Sequence, residues 1–227
     1  MKTLLLLHGA IGSSAQLKLL KESLQDQYYV HLLDLPGHGG TALPDQFSMS
    51  LFAAAVKDYL QDKEINQVSI VGYSMGGYVA LYLAKRHPEL VDKIITLATK
   101  FEWSEAIAAK EVKMLQPEVI AQKLPDFAKA LEVRHAPQNW KEVLEKTKGL
   151  LLGLGQQPEL TPDDLAHVQI PVQLLIGDRD KMVSLEETIA AFKHLPNGQL
   201  GVLPATPHPI EQVDIDLLAF HIKRFMQ

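Results

Sequence analysis

The apolar run Val68-Ser69-Ile70-Val71 ends at Gly72-Tyr73-Ser74-Met75-Gly76-Gly77, and a helical-looking segment, Tyr78-Val79-Ala80-Leu81-Tyr82-Leu83-Ala84, follows at once. This is a strand, a sharp Gly-x-Ser-x-Gly turn and a helix. Such a turn holds a serine hydroxyl at a helix N-terminus, where backbone N–H groups and the helix dipole favour a developing oxyanion. Glycine at positions 72 and 76 has a steric reason. A tight strand-to-helix turn brings neighbouring backbone too close for a Cβ. The bare pattern is only moderately specific, and the strand before it and the helix after it supply the confirming context.

The same alternation runs through most of the chain. Strand candidates are Thr3–Leu7, Tyr29–Leu33, Gln67–Val71, Lys93–Leu97, Val172–Ile176 and Gln199–Leu203. Helical candidates are Ser14–Gln25, Ser50–Asp62, Met75–Arg86, Ser184–His194 and Glu211–Phe225. Alternating βα units imply an α/β fold, a mostly parallel six-stranded sheet flanked by helices. Ligands then sit at the carboxyl ends of the strands. The loops His8–Ser13, Asp34–Thr41, Gly72–Gly77, Gly177–Val183 and Ala205–Pro209 all follow strands. One stretch breaks the rhythm. Residues 100–162 contain no strand-like run, only helical segments punctuated by Pro117, Pro125, Pro137 and Pro158. They read as a helical insertion, with core at 1–99 and 163–227.

Composition removes several classes of function. At 227 residues and 47% apolar content the chain suits one domain with a substantial core. A net charge of −5 and no basic stripe argue against a nucleic-acid partner. With no cysteine, thiol catalysis, disulfides and cysteine-bound metal are excluded. The start, Met1-Lys2-Thr3 and four leucines, imitates a signal peptide, but its apolar run is too short, and a buried parallel strand explains it better. No stretch approaches the length of a membrane span. These features predict a cytoplasmic protein with no membrane partner. No His-Glu-x-x-His spacing or phosphate-binding lysine loop occurs, so neither metal nor cofactor is expected. The glycine-rich run Gly149–Gly155 follows no strand and reads as helix packing.

Three loops carry chemistry in the order Ser, Asp, His. Ser74 is followed by Gly177-Asp178-Arg179-Asp180-Lys181-Met182-Val183, and then by Pro204-Ala205-Thr206-Pro207-His208-Pro209. A serine hydroxyl is a poor nucleophile without an adjacent base. An imidazole serves as that base near neutral pH, and a carboxylate fixes its tautomer. Asp178 and Asp180 compete for the acid. Among the nine histidines, His87, His194 and His221 read as surface residues, and His135 and His167 carry no partner motif. His31 reads as a satisfied core or edge residue and His38 as structural. His8 reads as support for its loop through the backbone.

These loops make the chain resemble the α/β-hydrolase superfamily over nearly its whole length. His8-Gly9-Ala10 is similar to that family's His-Gly-x turn, and Asp34-Leu35-Pro36-Gly37-His38-Gly39 to its Asp-x-x-Gly-x-Gly loop. The resemblance implies Ser74 as nucleophile, Asp180 as acid and His208 as base. It also implies an oxyanion hole from the backbone N–H groups of Ala10 and Met75. Residues 100–162 fall where the family places a helical cap. One departure is visible: the family's usual antiparallel N-terminal hairpin is missing, leaving six strands.

The resemblance implies a serine hydrolase acting on a small ester, thioester or related acyl substrate through an acyl-enzyme. The cap is expected to govern substrate choice rather than chemistry, with Trp103, Phe127 and Trp140 lining the pocket. Two alternatives use other chemistry or none. The Gly-Tyr-Ser-x-Gly-Gly elbow is similar to that of a menaquinone-pathway lyase and of C–C bond hydrolases. A polycarboxylate substrate, however, calls for more cationic groups than Arg134, the single arginine between Lys100 and Pro162. A non-catalytic ligand-binding protein of the same fold is the third reading.

Overall fold

A computed structural model describes residues 1–227. Six strands build one sheet: β1 (Lys2–Leu7), β2 (Tyr28–Leu33), β3 (Val68–Tyr73), β4 (Val91–Leu97), β5 (Val172–Gly177) and β6 (Gly198–Leu203). Their order is β2-β1-β3-β4-β5-β6. Every neighbouring pair is parallel, so the sheet is wholly rather than mostly parallel. The chain winds to one side of β1 through β2, then to the other through β3. This reversal opens a crevice at the carboxyl ends of β1 and β3, the preferred ligand position in open α/β sheets.

The continuous apolar runs are explained by burial on both faces. Leu5, Leu7, Ile70, Ile94 and Leu174 point into a core of 31 buried residues. Leu4, Leu6, Val71, Ile95 and Leu175 point into a second core of 21 on the opposite face. Helices α2 (Met49–Asp62), α3 (Met75–Arg86) and α9 (Leu185–His194) cover the first face. The second lies under α1 (Lys18–Leu24) and α10 (Ile215–Met226). The first and last helices are shorter than their sequence pattern suggests. Ser14–Leu17 is a tighter 3-10 turn. At the other end the Asp214 side chain accepts the Leu217 N–H at 3.0 Å and starts α10 later than Glu211.

Between β4 and β5 lie α4 (Glu105–Glu111), α5 (Pro117–Lys123), α6 (Pro125–His135), α7 (Trp140–Gln156) and α8 (Pro162–Ala166). Pro117, Pro125 and Pro162 each open a helix, where the missing N–H costs nothing. Ile120, Leu131 and Leu144 form a small core of this segment's own. Val143, Leu150 and Leu154 of α7 join the main core instead, so the insertion is anchored to the sheet. Gly155 lets α4 approach α7, because a Cβ there would lie 2.5 Å from the Ala108 Cβ. No helix is long and apolar enough to cross a membrane.

Where α3 crosses β1 the backbones leave no room for a side chain. A Cβ on Gly76 would stand 2.5 Å from the Leu7 carbonyl oxygen and 2.7 Å from that of His8. A Cβ on Gly72 would overlap the Gly76–Gly77 backbone. Neither backbone can yield without moving a strand. Gly76→Ala is therefore expected to lower unfolding stability by at least about 2 kcal/mol, at the upper end of overpacking costs. A denaturant titration that found Gly76→Ala as stable as wild type would contradict this packing.

Candidate active site

Ser74 occupies the one-residue gap between β3 and α3 with φ 51° and ψ −115°. Such angles cost a non-glycine residue on the order of 1–3 kcal/mol and persist only where the surroundings enforce them. The surroundings here are the end of β4. The Ser74 N–H donates to the Leu97 carbonyl at 2.8 Å, and its carbonyl accepts the Thr99 hydroxyl at 2.9 Å. The Met75 N–H is one of the first-turn donors for which a helix has no internal acceptor.

Two loops further along the chain bring Asp180 and His208 together. Asp180 follows β5, and its Oδ2 accepts His208 Nδ1 at 2.8 Å. Its Oδ1 accepts the N–H groups of Met182 and Val183 at 2.8 and 2.9 Å. Burial pushes the Asp180 carboxyl up, but the bonds from His208 and these two amides outweigh it. The carboxyl lies below its usual range. Asp178 takes a different position. Its Oδ1 accepts the Thr206 N–H at 3.3 Å, bracing the two loops against each other.

Tyr73, the residue before the serine, fastens the His208 loop. Its hydroxyl donates to the His208 carbonyl at 3.0 Å, and its ring lies 5.6 Å from the imidazole. Burial raises the phenol's pKa, so it stays a neutral donor. Sequence patterning carried no signal for this role.

The turn after β1 faces Ser74 across the crevice. The Ala10 N–H has no backbone acceptor. Ile11 beside it has φ 51°, again unusual for a branched residue. Four side-chain contacts hold this turn. His8 Nε2 accepts the Leu35 N–H at 3.0 Å, so the proton sits on Nδ1, which donates to the Gly9 carbonyl at 2.8 Å. The His8 ring, and not its backbone alone, thus ties β1 to the Asp34 loop. From α6, Arg134 Nη1 and His135 Nε2 both donate to the Ile11 carbonyl at 3.0 Å. Arg134 also approaches Glu211, just beyond His208, at 3.5 Å. His135, without a partner motif in the sequence, therefore has a structural one that only the fold creates.

Ser74, His208, Ala10 and Met75 line one narrow cavity of about 80 Å³. Met49, Tyr78, Leu151, Leu154 and Val183 supply its apolar wall, and Lys100, Trp103 and Glu111 a mixed one. Of the three aromatic residues expected in the pocket, only Trp103 is there. Phe127 faces outward on α6 with 37% of its surface exposed. Trp140 packs on Ile120, Leu131 and Leu144, completing the insertion's own core. Their places are taken by Leu151 and Leu154, three residues apart on α7 within the glycine-rich run. That i, i+3 spacing was the available signal.

Residues 2–116 match the family model described as the α/β-hydrolase fold. The chain belongs to the α/β-hydrolase family. It is similar to a pimeloyl-[acyl-carrier protein] methyl ester esterase of Vibrio parahaemolyticus, with 28% identity covering 99% of this chain and 94% of that protein. Among solved structures, a thermophilic esterase from Thermogutta terrifontis superposes with a TM-score of 0.77 at 23% identity. That match covers 100% of this chain and 89% of the esterase. MenH from S. aureus superposes with 0.79 at 24%, covering 99% and 93%. At these identities the structural matches establish the shared α/β-hydrolase fold.

Three buried histidines meet beneath the Ala10 turn of this hydrolase. His8 and His38 have ring centroids 5.0 Å apart, and His38 and His135 5.8 Å apart, with Phe47 stacked on His38. Burial lowers all three pKa values, that of His135 to about 4. An unfolded histidine titrates near 6.5. Between these values the unfolded chain holds protons that the folded one excludes, so stability falls as pH drops from about 6.5 to about 4 and is unaffected above. His135→Gln keeps a donor for Ile11 and removes one titrating group. Its unfolding midpoint should fall less steeply than that of wild type across this window. Equal slopes would contradict the assignment of a neutral His135.

Proposed function

We propose that this α/β-hydrolase is a serine carboxylesterase, cleaving a small ester, thioester or related acyl compound through Ser74, His208 and Asp180. The observation that carries this reading is the 2.8 Å bond from His208 Nδ1 to Asp180, with Ser74 and His208 in one cavity above the sheet. A proton held on Nδ1 leaves His208 Nε2 as the basic nitrogen. Nε2 takes the Ser74 hydroxyl proton as Oγ attacks the substrate carbonyl carbon. The oxygen that becomes negative is met by the N–H groups of Ala10 and Met75, both without backbone acceptors or internal helix partners. Nε2–H returns its proton to the departing alkoxide or thiolate. A water then loses a proton to Nε2 and attacks the acyl carbon, and Nε2–H passes that proton to the departing Ser74 Oγ as the acid is released.

Ester chemistry is supported by relatives that act as methyl ester esterases. The wall of Met49, Leu151, Leu154 and Val183 suits an acyl or alkyl chain. We assign residues 100–162 as the cap over this chain. Lyase chemistry on a polycarboxylate finds less support. The Arg134 guanidinium is engaged by the Ile11 carbonyl and Glu211, and Lys100 lies near two carboxylates, Glu111 and Glu187. The cysteine-free composition fits a cytoplasmic enzyme.

The test is turnover of short-chain p-nitrophenyl esters by wild type and by single variants of stable fold. Ser74→Ala and His208→Ala should each lose about 10⁴-fold or more in kcat. Asp180→Asn supplies the wrong hydrogen-bond partner and should also collapse activity. Asp178→Asn should mainly lower stability. The reverse ranking of the two aspartates would move the acid to Asp178, and activity surviving in Ser74→Ala would remove the nucleophile altogether.

A fluorophosphonate should label wild type and spare Ser74→Ala. Among the aromatic residues of 100–162, Trp103→Ala should shift the preferred acyl length, while Phe127→Ala and Trp140→Ala should leave it in place. A shift in all three alike would contradict the cavity lining.

A further inference from the structure

One wall of the catalytic cavity takes no part in the chemistry proposed above, and it carries charge. Lys100, Trp103 and Glu111 come from a single short stretch and line the same cavity as Ser74 and His208. Glu111, the last residue of α4, is 7% exposed. Neither of its carboxylate oxygens accepts a hydrogen bond. The nearest cation, Lys100 Nζ, is 3.9 Å from Oε1, beyond hydrogen-bonding distance.

Glu187 next to it shows what a satisfied buried carboxylate looks like. It accepts the N–H groups of Phe101, Glu102 and Ser184 at 3.1, 3.3 and 3.0 Å, and Lys100 lies at 3.5 Å. Lys100 also donates to the Met182 carbonyl at 3.1 Å, so Glu187 and that carbonyl hold its ammonium. Trp103 adds the complementary want. Its indole Nε1–H is buried and has no acceptor.

A buried N–H without an acceptor is costly, and native structures seldom keep one without a reason. The Glu111 carboxylate, on the wall of the same cavity, likewise receives no hydrogen-bond donor from the protein. Both residues line the cavity that holds Ser74 and His208, and together they describe the missing partner. It carries an N–H or O–H for Glu111 and an oxygen for Trp103. It carries no negative charge, since Glu111 and Glu187 already outnumber Lys100.

We propose that Glu111 and Trp103 form a polar subsite that recognises a neutral carboxamide or hydroxyl group on the substrate, away from the scissile ester. The subsite rests on the reading of the cavity as ester-cleaving. A carboxamide satisfies both groups at once. An apolar end of the same shape leaves both unpaired, and a carboxylate end offers no donor and meets like charge.

The experiment uses the full-length protein and three methyl esters matched in shape: methyl 4-carbamoylbutanoate, methyl 5-methylhexanoate and monomethyl glutarate. Homologues with shorter and longer chains are included, so that the distance from ester to subsite is scanned. In wild type, at the best chain length, kcat/KM for the carbamoyl ester should exceed that for the branched alkyl ester by about tenfold. It should exceed that for the carboxylate by about 100-fold, the range expected for bonds to a charged group. Glu111→Leu should reduce the carbamoyl-to-alkyl ratio by about tenfold or more. Glu111→Gln keeps an acceptor oxygen and should preserve part of that ratio while relaxing rejection of the carboxylate.

Should Glu111→Leu fail to fold, as read by circular dichroism, the wild-type ratios and Glu111→Gln still decide. Equal rates for carbamoyl and alkyl esters at every chain length, or a wild-type preference for the carboxylate, would overturn the subsite and leave the esterase intact. A protein that cleaves none of these esters and resists a fluorophosphonate would overturn the esterase reading and the subsite with it.

Discussion

The site depends on a contact that leaves no room for a side chain. The first turn of α3 lies directly on the carbonyls of Leu7, the last residue of β1, and of His8 just after it, where Gly76 meets them. Only that approach sets the helix N-terminus beside the turn after β1, at the point where the sheet reverses its winding. From it follow the strained angles of Ser74, the orientation of the Met75 N–H, and the placing of Ala10 across the crevice. Strain at Ser74 is sustained by the end of β4 and the residues just after it, where the Leu97 carbonyl and the Thr99 hydroxyl grip the serine backbone from both sides. The elbow is thus a property of three adjacent parallel strands and not of a five-residue motif.

The helical insertion is tied into the same arrangement more closely than a cover would need. Arg134 and His135 reach down from α6 to a single carbonyl, that of Ile11, next to the Ala10 N–H. Tyr78, near the start of α3, receives the N–H groups of Glu159 and Leu160 through its hydroxyl at 3.0 and 2.8 Å. These bonds cross the division of labour expected from the sequence, in which residues 100–162 choose the substrate and the sheet performs the chemistry. A change in α6 is transmitted to the turn after β1 through two hydrogen bonds, with no need for contact with a ligand.

What the sequence made legible was whatever depends on chain-local pattern. The six strands were readable because parallel strands buried on both faces are continuous apolar runs. The turns that carry Ser74, Asp180 and His208 to the carboxyl ends of strands were readable because each follows such a run. Tyr73, His135 and Arg134 were not, since their partners lie 135, 124 and 123 residues away and no periodicity encodes such a meeting. Phe127 and Trp140 misled for a related reason. An aromatic side chain on a short amphipathic helix looks the same whether it faces a ligand, solvent or the helix's own small core. Glu111 escaped notice because a glutamate at a helix end reads as a solvated charge, and only the packing of α4 against α7 turns it inward.

Transfer of the acyl group to Ser74 is the step on which the proposed ester cleavage turns. It is tested most directly by mixing the enzyme with a slowly deacylating ester, quenching in acid within the first turnover, and measuring intact and peptide masses. One acyl group per chain is predicted, on the peptide containing Ser74, and absent from Ser74→Ala. Turnover that proceeds with no acyl adduct at any quench time, or an adduct on another residue, would contradict it.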